Sequence, residues 1–94
     1  MGVDRLSNQL RRYRLKCGYR VKDVAYLVGH KTSAHISRYE SGRRLPSLRT
    51  ALELSAALRC PVEILFHRMF ADLREEVIGR RTNLELPPDQ RQED

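Results

Sequence analysis

The sequence predicts an all-α chain: five short helices in a small bundle, followed by an extended C-terminal helix. Three features carry that expectation. Apolar residues recur three and four positions apart rather than alternately. A glycine falls just after each of the first three such runs, where helices stop. Hydroxyl residues or proline stand ahead of the later runs, where helices start. No segment alternates apolar and polar residues over a useful length.

Helix one opens at Leu6 and Ser7, with Ser7 as its N-cap, Leu10, Tyr13 and Cys17 at helical spacing, and Gly18 just beyond. Helix two covers residues 20–28, where Val21, Val24, Ala25 and Val28 repeat and Gly29 ends the run. The polar turn His30-Lys31-Thr32 leads to helix three, residues 33–41, capped by Thr32 or Ser33, with Ile36 and Tyr39 inward and Gly42 as the stop. After the loop Arg43-Arg44-Leu45-Pro46, Ser47 caps helix four, which turns Leu48, Ala51, Leu52, Leu54, Ser55 and Leu58 inward or nearly so. Pro61 starts helix five. From there Val62, Leu65, Phe66, Met69, Phe70, Leu73 and Val77 form one apolar stripe as far as Gly79. From Thr82 the polar residues and Pro87-Pro88 predict a disordered tail. The expected division is a domain at 1–66, a helical extension at 67–81 and a tail at 82–94.

Ninety-four residues make one domain, too few for a two-lobed enzyme with a buried cleft. Apolar residues at 40% and charged residues at 32% suit a globular chain. No apolar run approaches the ~20 residues that cross a bilayer, so no membrane partner is expected and the chain reads as cytoplasmic. The net charge of +6 is unevenly spread: residues 1–50 hold twelve bases against Asp4, Asp23 and Glu40, and the remainder six against nine acids. Fifteen of the eighteen bases are arginine, whose planar fork suits phosphate and guanine. A basic front and an acidic rear point to a polyanion partner for the first half.

Other chemistries find little support. His30 and His35 lack the carboxylate of a zinc-binding helix, and Cys17, Cys60 and His67 lack ligand spacing, so no metal is expected. The two cysteines read as small apolar fillers. Asp72, Glu75 and Glu76 read as a solvated helix edge. No nucleophile, base and orienting group converge, and no glycine-rich phosphate loop exists. Neither catalysis nor a cofactor nor a small-molecule ligand is expected.

Helices two and three, short and tightly joined, have the form of a helix-turn-helix unit. Ala25 keeps the crossing close, Gly29 lets the chain leave sharply, and Val24, Val28 and Ile36 lock the pair from inside. Residues 6–66 resemble the Cro and lambda-repressor class of helix-turn-helix regulators, the xenobiotic-response-element family. The resemblance lies in Leu10, Arg14 and Gly18; Val24, Ala25 and Gly29; Ile36-Ser37-Arg38-Tyr39-Glu40 with Gly42; and Pro46-Ser47-Leu48 with Leu54 and Leu58. "ISRYESGRRLPSL" is its most specific part. Val21 departs from the pattern, standing where the family often has a phosphate-contacting glutamine. The turn before helix three is one residue longer than usual.

The resemblance implies a five-helix bundle that places helix three in the DNA major groove, usually as a dimer. It also implies an internal ion pair between Arg14 and Glu40. Carried onto this sequence, base contacts fall to Ser33, Ala34 and Arg38, with Ser37 on the same surface and Lys31, Thr32 and His35 flanking it. Arg38 can fork onto guanine O6 and N7, a contact worth ~1–3 kcal/mol of discrimination. Arg43 and Arg44 clamp phosphates, and Arg20 meets one at the start of helix two.

The stripe beyond the minimal domain reads as a dimer surface of Phe66, Met69, Phe70, Leu73 and Val77. The function expected is a DNA-binding transcriptional regulator, a homodimeric repressor. The alternative is the antitoxin of a toxin–antitoxin pair, whose stripe and tail hold a toxin protein while the same helices autoregulate.

Overall fold

Helix α1 (Leu10–Lys16) starts where Asn8 presents a side-chain acceptor: its Oδ1 takes the N–H of Leu10 at 3.0 Å. The structure is a computed structural model and describes residues 7–92. Leu6, expected at the opening of this helix, lies outside them. Ser7 is exposed and does not cap; asparagine one residue later takes that role.

Helix α2 (Val21–Leu27) opens with the Asp23 carboxylate accepting the backbone N–H of Arg20 at 2.7 Å. In helix α3 (Ala34–Glu40) the cap is Thr32, whose Oγ1 accepts from the Ala34 N–H at 3.1 Å. Ser47 caps helix α4 (Leu48–Leu58) as expected, its Oγ accepting from the Thr50 N–H at 3.2 Å. Pro61 precedes the single turn of α5 (Val62–Leu65).

The core draws one fully buried side chain from each of these five helices: Leu10, Val24, Ile36, Leu54 and Leu65. Burying each contributes ~1.5–3 kcal/mol. Tyr39, Leu58, Cys60 and Phe66 close the cluster around them. Helix α2 packs on α3 and α4, α1 on α3, and α4 on α5. Two expected core residues of helix four are corrected: Leu48 and Leu52 are 75% and 54% exposed. The buried arc is narrower than the apolar stripe, and Thr50 occupies part of it.

The apolar stripe is not one continuous helix. At Phe66 the backbone leaves helical geometry (φ −112°, ψ 46°), and α6 (His67–Leu84) starts as a separate helix. None of its residues is buried. The helix passes Gly79 and ends at Leu84, beyond the expected limits of 79 for the stripe and 81 for the extension. The disordered tail expected from 82 is likewise corrected as far as residue 92. A 3-10 turn (Pro88–Gln90) folds back so that Asn83 exchanges two 2.9 Å hydrogen bonds with Gln92.

The Cα radius of gyration is 17.0 Å, against ~12 Å for a compact chain of this length. The excess is the length of α6, which extends from the bundle as an arm.

Candidate nucleic-acid interface

The α2–turn–α3 unit is built on Val24, Ala25, Val28, Ile36 and Tyr39, all buried. Gly29 takes a left-handed backbone (φ +73°), which lets the His30 N–H return to the Ala25 carbonyl at 2.8 Å. Helix α3 is then fixed from behind by two further ties. Arg14 reaches across from α1 and forks onto Glu40, with Nε–Oε2 2.6 Å and a second bond of 3.2 Å; both side chains are 11% exposed. A third donor of Arg14 caps the Tyr19 carbonyl at 3.0 Å. Asn8 donates its side-chain amide to the Tyr39 carbonyl at 2.8 Å, tying the start of α1 to the end of α3.

With Ile36 and Tyr39 inward, the opposite side of α3 presents Ala34, Ser37 and Arg38 to solvent, with Ser33 and His35 half-buried beside them. Lys31 and Thr32 are exposed on the preceding turn, although the Thr32 hydroxyl is occupied by the cap. The loop after α3 folds tightly back: the N–H groups of Arg43 and Arg44 both donate to the Arg38 carbonyl, at 3.0 and 3.2 Å. Lys31, Arg38, Arg43 and Arg44 therefore belong to one turn–helix–loop unit. Positive charge gathered around a pinned helix suits a polyanion.

Arg20 differs from the other expected contacts. Its guanidinium holds Asp23 through bonds of 3.2 Å from both Nε and Nη2, and its own backbone N–H binds the same carboxylate. These bonds hold the Asp23 carboxyl below its usual 3.8, the side-chain bond first and the backbone bond next.

The sequence did not reveal the set of rings beside α3. His35 stacks on Tyr39 with centroids 6.4 Å apart and meets the edge of His30 at 5.6 Å. The Tyr39 hydroxyl lies 3.4 Å from Nε2 of His30. Arg44 donates to Nδ1 of His35 at 3.0 Å. Together with Lys31 and Thr32 these residues border an open cleft of about 450 Å³. The His35 imidazole is held below its usual 6.5, first by partial desolvation and then by the charges of Arg44, His30 and Arg38.

Of the expected dimer surface, Phe70, Leu73 and Val77 are exposed on α6, and Met69 is half-buried. Ile78, 40% exposed, joins them. Phe66 is corrected: the break at its own backbone turns its ring into the bundle core, where it is 9% exposed. Among the described residues no three His, Cys, Asp or Glu side chains are grouped to hold a metal, and no helix is long and apolar enough to cross a membrane.

Comparison with curated proteins gave no match. A family model described as helix-turn-helix matches residues 10–65, more than half of the chain. That span runs from the first residue of α1 to the last of α5 and contains the pinned α3. The chain therefore belongs to the helix-turn-helix family, in its Cro and lambda-repressor-like class of DNA-binding regulators.

Proposed function

We propose that this regulator is a repressor that binds an inverted-repeat operator as a homodimer and occludes polymerase. The observation that carries the reading is α3 itself. It is locked from behind by Ile36, Tyr39 and the Arg14–Glu40 pair, and its solvent side carries Arg38 between Ala34 and Ser37. A helix held this rigidly loses little freedom on entering the major groove. Arg38 reads guanine, Ala34 meets a thymine methyl, and Ser33 and Ser37 contact base edges or nearby phosphate oxygens. Lys31, Arg43 and Arg44 neutralise phosphates and set the register, with Thr32 and His35 at the margin. An Arg20 contact would share a guanidinium already bound to Asp23.

Dimerisation is assigned to α6. Phe70, Leu73, Val77 and Ile78 are each 40–49% exposed on an arm that leaves the bundle, and a second copy of the same face is the natural cover. Two recognition helices about 34 Å apart would then meet half-sites one DNA turn apart.

Salt dependence tests the electrostatic part. With about six to eight phosphates neutralised per dimer, log K against log salt should fall with a slope of roughly −0.9 per phosphate. Tight binding to duplex DNA with a flat salt response would contradict it.

A further inference from the structure

An arginine on an exposed loop ordinarily surrenders many rotamers when it meets a ligand. Arg44 has already lost part of that freedom, because its Nη1 lies 3.0 Å from Nδ1 of His35. A guanidinium carries donors and no acceptor, so Nδ1 must accept and the neutral ring must carry its proton on Nε2. The ring is held in turn by stacking on Tyr39 and by the edge of His30. Tyr39 is buried. A line of contacts thus runs from the core to the tip of Arg44. Only one of the five guanidinium donors is used in this bond, which leaves the rest of the fork for an anion.

We infer that His35 is a positioning residue: its neutral imidazole holds the Arg44 guanidinium at the rim of the cleft, oriented in advance for a DNA backbone phosphate. This rests on α3 being the DNA-facing helix, and it changes the role of His35 from a contact to a support.

Protonating His35 would remove the accepting lone pair and set a second cation against Arg44. The groups facing the ring are His30 and Lys31 from the turn, Arg38 and Tyr39 from α3, and Arg44 from the loop. Desolvation first, and then Arg44, His30 and Arg38, disfavour that proton and hold the ring below its usual 6.5. A depressed histidine is neutral above 6.5, so the hydrogen bond is intact near neutrality and is lost as pH falls through the lowered value.

The test needs no operator, because a phosphate contact is independent of sequence. The probe is a mixed-sequence duplex of about 20 base pairs, near pH 7.5 and at low salt, since low salt strengthens protein–DNA contact. Arg44→Ala and His35→Ala should each weaken binding about fivefold, the loss expected for one hydrogen-bonded contact. The double variant should be no weaker than Arg44→Ala alone. His35→Asn, which keeps an acceptor near the position of Nδ1 but does not titrate, should bind within about twofold of the parent. In the free protein, nitrogen NMR should find the Nε2–H tautomer of His35, and Arg44→Ala should raise its titration midpoint. The ring titration reads the pair without requiring any His35 variant to fold.

Additive losses, a His35→Asn protein as weak as His35→Ala, or a midpoint indifferent to Arg44 would overturn the inference. A parent protein that binds no duplex at all would overturn the DNA-binding reading and this one with it. Binding with uncoupled losses would overturn only the role of His35.

Discussion

Arg14 and Glu40 show how a charged pair can hold a helix of the helix-turn-helix unit from behind. The guanidinium makes a fork on the carboxylate and caps the Tyr19 carbonyl, so its buried donors are used. Removing one partner strands the other in a site where water reaches little of it. Arg14→Ala should therefore lose ~3–5 kcal/mol of stability and weaken DNA binding with it. Chemical denaturation checks the prediction, and an unchanged midpoint would refute it. This pair was legible through the family resemblance, because both residues stand in its pattern. The His35–Arg44 bond was not. Its partners are nine residues apart, which matches no helical spacing, and they meet because the loop folds back onto the Arg38 carbonyl. Asn8 was overlooked for a simpler reason: Ser7 and Asn8 are both good caps, and composition does not choose between neighbours.

At the scale of elements, the glycine stops after the first three helices were readable, and so were the Ser47 cap and the inward Ile36–Tyr39 pair. Helix α4 ends differently from α1, α2 and α3. Its C-cap is Arg59 at φ +52°, a left-handed backbone that usually falls to glycine. An L-residue with a Cβ pays ~1–2 kcal/mol there. Glycine gives back part of that gain through its freer unfolded chain. Arg59→Gly should stabilise the fold by roughly 0.5–1 kcal/mol, read as a higher melting temperature; a lower one would refute the account. The break at Phe66 was illegible because periodicity treats a stripe as one straight helix. A single residue out of helical geometry sends Phe66 into the core and leaves Phe70 and Leu73 outside. Gly79 did not end α6, since its φ is not left-handed and a mid-helix glycine costs only ~1 kcal/mol.

Over the whole molecule, a bundle with a cationic unit around α3 carries a charged arm with an apolar stripe. The span of 55 Å along the longest axis reflects that arm, and its exposed Phe70, Leu73, Val77 and Ile78 are the residues a second copy would cover. On the proposed dimer, Leu73→Asp should leave a folded monomer in sedimentation analysis. It should also weaken binding to a two-half-site duplex by about 10²-fold or more through lost avidity. A parent chain that sediments as a monomer at high concentration would refute the assignment. The charge asymmetry that pointed to a polyanion was legible from composition, whereas the direction in which α6 leaves the bundle depended on one backbone angle pair. Whether α3 reads bases is settled by selection of bound duplexes from a random pool, by the parent and by Arg38→Ala. The parent should enrich a palindrome with half-sites about one turn, ~10 base pairs, apart, and the variant should relax one position in each half-site. No enrichment by the parent, or equal weakening of every sequence by Arg38→Ala, would contradict it.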